Sequence, residues 1–370
     1  MKIESIEAIP IRSLPPKPRM SSLGKSTEFD YGIVIIKTDT GIEGIGEISM
    51  LWDGTGQRAC FDVNRLLAPV LIGENPFDIV KILRKMDDAI QFSKASNPGK
   101  AAIEMALYDI IGKKLNTPVY NLLGGKARKC APLSMSIFMD DVENMVEQAV
   151  GYVKQGFKTV KIKIGMNAKS DIDAVREIRS AVGNDINIRV DANMGWKSPK
   201  QAIAVINELE KYGVHSIEQP MNPERIDDIA LIRSQVNTPI MLDESIWHPE
   251  DAVRALKAEA VDIFNVYVSE SGGLYKSSTI FRLAEAYGVD ATIGSMPELG
   301  IGTAAQMHLA VSVPSFNCPG DVCGFMYHKD DLILETLKIE DGYAYPPEGP
   351  GLGITLDHDM LNEIRLDKRS

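Results

Sequence analysis

The chain has 370 residues, 44% apolar and 25% charged, an ordinary globular composition with room for one large α/β barrel and a smaller domain. Its formal net charge of −11 argues against nucleic acid as a partner, and the opening Met1-Lys2-Ile3-Glu4-Ser5-Ile6 lacks the apolar core of a leader. No run approaches the roughly 18 apolar residues of a membrane span, and Cys60, Cys130, Cys318 and Cys323 have neither metal nor redox spacing, so the expectation is a soluble, cytoplasmic protein with reduced thiols.

Residues 1–50 read as a β-meander. Ile3 to Pro10 alternates, Tyr31 to Lys37 is a β-branched run, and the turn Asp39-Thr40-Gly41 leads into the Gly-spaced Ile42-Glu43-Gly44-Ile45-Gly46-Glu47. Between the first two strands, Leu14 to Phe29 is rich in Pro, Ser, Gly and Lys, a candidate lid by its length. Ser49 to Gln57, carrying Trp52, is a second such loop. Both read equally well as plain surface connections. Residues 58–125 are mostly helical, with Ile103, Ala106, Leu107, Ile110 and Ile111 on one stripe of a helix over Ala101 to Leu115. Pro118 and Gly124-Gly125 close that domain.

From Ala131 onward short apolar strands alternate with helical patterns, which implies a parallel sheet. The strands are expected at Ala131 to Ile137, Thr159 to Ile164, Ile186 to Val190, Ser216 to Glu218, Ile240 to Asp243, Asp262 to Val268 and Ala291 to Gly294. Helices are expected between them, with Ser170 and Ser198-Pro199 as N-terminal caps. The units recur roughly every 25 residues, the rhythm of βα repeats that close into a barrel. An eighth strand falls near Asp321 to Gly324, and the tail from Thr336 to Ser370 is expected to pack back on the N-terminal domain.

The chemistry sits at the C-terminal ends of these strands, where barrels carry their active sites. Lys161 and Lys163 are two apart on one strand, so both point inward, and a dry interior tolerates them only beside compensating anions. Asp191, Glu218 and Asp243 end three consecutive strands. Acids from three strands can ring one Mg²⁺, which prefers oxygen ligands, and the absence of histidine from these ends argues against zinc. The plainer alternatives are a solvated strand end for the lysines and helix caps for the acids.

With these residues in place the sequence resembles the enolase superfamily, most closely its muconate-lactonizing-enzyme subgroup. The resemblance rests on Lys161-x-Lys163, Asp191-Ala192-Asn193, Glu218-Gln219-Pro220 and Asp243-Glu244-Ser245. It extends to Ala102-Ile103-Glu104-Met105-Ala106-Leu107-Tyr108-Asp109, Leu122-Leu123-Gly124-Gly125, Ser271-Gly272-Gly273 and Pro350-Gly351-Leu352-Gly353. It implies an α/β fold, a modified TIM barrel of the (β/α)₇β type under an α+β N-terminal capping domain. The implied boundaries are a capping domain with lid loops at 1–126, the barrel at 127–325 and a returning C-terminal segment at 326–370. It implies Mg²⁺ held by Asp191, Glu218 and Asp243, and removal of the proton α to a carboxylate by Lys163, with Lys161 steadying the enediolate. It also implies a small carboxylate as partner and a homo-oligomer.

One departure bears on the reaction. The subgroup normally ends its sixth barrel strand with a second lysine, and here Tyr267 takes that position in Asn265-Val266-Tyr267-Val268-Ser269. Ile293-Gly294-Ser295-Met296 offers no histidine in its place. Tyrosine is a weak base but a competent donor. The sequence therefore favours one-base chemistry, with β-elimination from a hydroxy- or amino-carboxylate as the leading expectation. The alternatives are a 2-epimerase, racemase or cycloisomerase with Tyr267 as second acid, and a barrel that only binds ligand. Tyr267 reads equally as a wall that shapes the substrate. Asn193 and Glu244 are expected behind the ligands and the base, Glu298 and Asp321 beside the substrate (Asp321 for an ammonium group), and Trp52 as a pocket closure.

Overall fold

The computed structural model describes residues 1–49, 56–91 and 93–368, so Trp52 lies outside the described residues. The N-terminal domain begins with β1 (Ile3–Ser13), a hairpin of β2 (Arg19–Ser21) and β3 (Gly24–Ser26), then β4 (Phe29–Thr38) and β5 (Glu43–Ile48). β1, β4 and β5 form an antiparallel sheet in that order, with Ile9 opposite Ile33 and Val34 opposite Gly46. A Cβ on Gly44 would fall 2.1 Å from the Ala106 carbonyl oxygen, and one on Gly46 would fall 1.9 Å from that of Ala102. The spaced glycines thus let the helix Asn97–Leu115 lie directly on the β5 backbone. That helix is buried on every side from Asn97 to Gly112, not along one stripe. Its Glu104 accepts from the backbone N–H groups of Leu274 and, at 3.1 Å, Tyr275, so its remaining face is spent on the barrel.

The expected strand at 131–137 divides in two. β6 (Ala131–Pro132) joins a small antiparallel sheet, and β7 (Met135–Ile137) opens the barrel. The barrel continues through β8 (Thr159–Lys163), β9 (Asn187–Asp191), β10 (Ser216–Glu218), β11 (Ile240–Leu242), β12 (Ile263–Val266) and β13 (Asp290–Ile293), all parallel and in chain order. The eighth position is an irregular segment upstream of the expected Asp321 to Gly324. Asp321 N–H donates to the Ile293 carbonyl at 2.8 Å on one side, and Ser134 N–H to the Gly320 carbonyl at 2.8 Å on the other. Pro314 and Pro319 lack the N–H groups a regular ladder needs, which is why the closure is not a strand.

Ser198 caps its helix as expected, its Oγ accepting from Gln201 N–H. The preceding helix, Ala168–Val182, starts before Ser170, because Asn167 Oδ1 takes the N–H groups of Lys169 and Ser170. The tail supplies β14 (Lys338–Glu340) and β15 (Tyr343–Tyr345), which pair with each other, and β15 pairs with β6. It then meets the N-terminal domain through Leu352 N–H to Asp109 Oδ1 (2.9 Å) and Leu366 N–H to the Pro10 carbonyl (2.8 Å). One apolar core runs from the barrel wall into β1 and β4, so the two parts share packing as well as hydrogen bonds. No helix among the described residues is long and apolar enough to cross a membrane.

Candidate active site

Strand register assembles the site. Lys161 stands opposite Arg189 and Lys163 opposite Asp191 across β8 and β9, while Asp191 stands opposite Glu218 across β9 and β10. Asp243 follows β11 by one residue. Asp191, Glu218 and Asp243 are all buried, and each offers a carboxylate oxygen within 4.8 Å of the others. Lys161 is buried, paired with Asp321 and 3.3 Å from Glu218 Oε1. Lys163 is partly exposed, paired with Asp191 and 3.1 Å from Asn193 Oδ1. The inward lysines therefore have the anions that a dry barrel demands.

A charged layer beneath the acids fixes them. Arg189 is fully buried on the same face of β9 as Asp191, and its Nη2 donates to Glu218 Oε2 at 2.8 Å. Its Nη1 donates to the Pro319 carbonyl at 2.7 Å and reaches Asp321 Oδ1 at 3.4 Å. Asn265 adds a third bond to Glu218, 3.0 Å to Oε1. Burial opposes the charge on Glu218, yet Lys161 and Arg189 hold its carboxyl well below the usual range. Burial also opposes the charge of Lys161, and Asp321 and Glu218 nevertheless hold it above the ordinary lysine value. Asp191 and Asp243 move the other way. Burial, with the charge of Glu218 beside Asp191 and of Glu244 and Glu218 beside Asp243, pushes both upward.

This donor set fits Mg²⁺. It is all oxygen, it gathers like charges that repel one another, and Asp243 Oδ1 is buried without a hydrogen-bond partner among the described residues. A hard divalent cation would satisfy that orphaned oxygen and relieve the repulsion.

Asn193 links Lys163 to Glu244, its Nδ2 donating to Glu244 Oε1 at 3.1 Å while its Oδ1 accepts from Lys163. Burial and the charge of Asp191 push Glu244 up to about 8. Tyr267 is buried and its hydroxyl donates to Asp243 Oδ2 at 3.2 Å. Glu298 is buried at the foot of the next loop, where Ser295 Oγ (2.5 Å) and Met296 N–H (3.1 Å) bond its Oε2. Asp321, where the sequence suggests a contact for an ammonium group, lines the cavity and is engaged by Lys161 and, at 3.4 Å, by Arg189.

The site opens into a cavity of about 360 Å³ lined by Lys161, Lys163, Asn193, Tyr267, Asp321 and residues 295–297. Its roof is the β2–β3 hairpin, which the sequence shows only as an irregular loop. Ser22 Oγ pins this roof to the barrel by donating to the carbonyls of Asn193 (2.9 Å) and Ala192 (3.1 Å). Arg19 is buried among Phe29, Phe138 and Tyr327, its guanidinium carbon 4.4 Å from the Tyr327 ring centre.

Comparison with known proteins identifies this arrangement. The family model for the mandelate racemase / muconate lactonizing enzyme N-terminal domain matches residues 5–124, and the model described as enolase C-terminal domain-like matches residues 144–360. The chain belongs to the enolase superfamily. It is an enzyme of the mandelate racemase/muconate lactonizing enzyme branch, with that branch's capping domain and barrel. It is 34% identical to the N-succinyl-L-Arg/Lys racemase of Bacillus cereus, covering 99% of this chain and 98% of that one, and superposes on the racemase's crystal structure with a TM-score of 0.94. A dipeptide epimerase of Cytophaga hutchinsonii, solved with Mg and D-Ala-L-Val, gives 0.93 at 31% identity over 98% of each chain. A muconate lactonizing enzyme of Pseudomonas fluorescens, solved with muconolactone, gives 0.95 at 27% identity over 99% of each.

These relatives are named racemase, epimerase and lactonizing enzyme, which favours the isomerase alternative over elimination for this superfamily member. Sequence reasoning missed Arg189, Gln219 and the hairpin form of the candidate lid at Leu14 to Phe29. Arg189 has the same strand parity as Asp191 and was readable from that alone. Gln219 carries a positive φ of 35°, and its Oε1 accepts Asp243 N–H at 3.0 Å, a role that no spacing rule announces.

Proposed function

We propose that the chain is a Mg²⁺-dependent isomerase of a small carboxylate, working through an enediolate that Lys163 both makes and unmakes. The observation that carries this reading is the position of Lys163. Its Nζ borders the cavity, 3.1 Å from Asn193 Oδ1, on the same inward face as Lys161 and beside the acids. Mg²⁺ held by Asp191, Glu218 and Asp243 would supply the positive charge that makes a carbon acid next to a carboxylate removable.

The rest is the work of side chains. Lys161, clamped by Asp321 and Glu218, stays cationic and sets fixed positive charge against the forming enediolate. Lys163 accepts the α-proton on its amine lone pair and returns it to the face it left, the course of a same-face cycloisomerisation, and the Asn193–Glu244 pair aims its amine. The hairpin roof held by Ser22 keeps bulk water from the carbanionic carbon. Arg19, Lys25, Lys161 and Lys163 face the cavity against Asp321, a lining that suits an anionic substrate. The racemase, dipeptide epimerase and lactonizing enzyme among the relatives support isomerisation as the outcome.

β-Elimination stands as a second reading, favoured by one observation. The Tyr267 hydroxyl faces Asp243, so the far side of the substrate has no base, and an enediolate with a leaving group on Cβ would expel it. Incubation with Mg²⁺ in D₂O separates the two. The panel is N-succinyl-L-arginine, D-Ala-L-Val, muconolactone and a 2,3-dihydroxy acid, followed by NMR. Muconate formed from muconolactone, with α-deuterium in the recovered lactone, supports the main reading, whereas inversion at Cα of N-succinyl-L-arginine or D-Ala-L-Val requires a far-face donor and overturns the one-base course. A 2-oxo acid from the dihydroxy acid, with no isomer of any panel member, overturns it.

A further inference from the structure

We propose that Tyr267 is a positioning residue for the metal ligand Asp243 and does not carry a proton to or from the substrate. The inference rests on reading Asp191, Glu218 and Asp243 as the metal site, and it deepens the one-base mechanism above.

β12 ends at Val266, and Tyr267 follows in extended backbone (φ −101°, ψ 123°) as the cap of the short helix Val268–Ser271. This places its ring inside the barrel, 4% exposed. A phenol has one proton to donate, and here it goes to Asp243 Oδ2 at 3.2 Å. That bond fixes the rotation of the carboxylate. It leaves Oδ1 buried and without a hydrogen-bond partner among the described residues, beside the other two acids of the cluster.

The ring has been given its own place. A Cβ built on Gly294, the residue after β13, would lie 2.1 Å from Tyr267 Cε2 and 2.3 Å from Cζ. Gly294 cannot retreat, because its N–H is bonded to the Val266 carbonyl at 3.1 Å and its carbonyl to Gln306 Nε2 at 3.0 Å. Tyr267 and Gly294 are therefore a matched pair: the missing side chain at one position seats the ring at the other, with its hydroxyl on the ligand. Where a lysine would present a second titrating amine, this chain presents a fixed donor to a carboxylate. Proton traffic then falls to Lys163 alone.

The test needs no substrate. Mn²⁺, as an EPR-visible probe, is titrated into the metal-free wild type, Tyr267→Phe, Gly294→Ala and Asp243→Asn, with thermal unfolding of each metal-free protein as the check on folding. The expected results are loss of binding in Asp243→Asn and roughly tenfold weaker binding in Tyr267→Phe, with an unchanged unfolding midpoint for the isosteric Phe variant. Gly294→Ala should weaken binding in the same direction by displacing the ring. Wild-type affinity in Tyr267→Phe, with binding lost in Asp243→Asn, overturns the positioning role and leaves the metal site standing. Wild-type affinity in Asp243→Asn overturns the metal-site reading itself, and the role of Tyr267 with it.

Discussion

Replacing Arg189 by methionine should be among the costliest single changes in the barrel. Methionine is similar in length and finds Met241 beside it, so the loss is of charge more than of volume. What it leaves behind is Glu218 without its 2.8 Å partner and Asp321 without its 3.4 Å one, both in a fully buried layer where Lys161 must answer for both. Removing one side of a buried ion pair costs about 3–5 kcal/mol. Two or three charge-assisted hydrogen bonds at about 1.5–3 kcal/mol each give a similar figure once the desolvation of the guanidinium is no longer borne. At about 2 °C per kcal/mol for a large domain, the midpoint of thermal unfolding should fall by about 6–10 °C. The assay is thermal and urea unfolding of metal-free protein, repeated in a Glu218→Gln background. There the orphaned charge is absent, and the cost of Arg189→Met should shrink by at least 1 kcal/mol on a double-mutant cycle. A cost below about 1 kcal/mol in the wild-type background, or the same cost in both backgrounds, would refute the claim that Arg189 exists to hold Glu218.

Other consequences can be checked separately. Burial raises Glu104 and Glu47 from 4.5 to about 8, so each binds a proton more readily folded than unfolded. Their contribution is fully present below about 4.5 and is lost as pH rises toward about 8, at up to about 1.4 kcal/mol per pH unit each. Urea midpoints of Glu104→Gln between pH 5 and 8 should therefore show a flatter decline than wild type, and an unchanged slope would count against the protonated carboxyl. Ser22→Ala removes two bonds from the roof to Asn193 and Ala192, worth about 0.5–1.5 kcal/mol together if the hairpin closes over substrate. KM should rise about 2- to 10-fold with kcat little changed, and a fall in kcat alone would point elsewhere. Gly273→Ala puts a Cβ at a φ of +125°, 2.0 Å from Glu104 Oε2, and should cost about 2 kcal/mol or more in unfolding free energy by prising the capping domain from its barrel helix.

Much of the site was legible because strand ends are simple geometry. A parity of two put Lys161 and Lys163 on one face, and acids closing three consecutive strands converge whatever the loops do. The same parity placed Arg189 and Asn265 inward, but a lone basic or amide residue inside an apolar run does not announce a partner on another strand. Irregular backbone was less readable. The roof hairpin consists of three-residue strands whose stability comes from Ser22 and Met20 contacts with the barrel, more than 100 residues away in sequence. The eighth barrel position is broken by prolines, so no alternating pattern survives to be read. Gly294 looks like turn punctuation in the sequence, and its purpose appears only once the Tyr267 ring is seen lying against it. The reaction itself was read too far toward elimination, because the missing second lysine was visible and the isomerase character of the relatives was not.

The central claim is that one amine, Lys163, moves a carbon-bound proton next to three metal-binding acids. It is tested most directly by deuterium uptake at the α-carbon in D₂O with Mg²⁺, comparing wild type with Lys163→Ala after circular dichroism has shown both to be folded. Uptake by the wild type that vanishes in Lys163→Ala, and in wild type stripped of divalent cations, is the predicted result. Uptake in Lys163→Ala at the wild-type rate would contradict it.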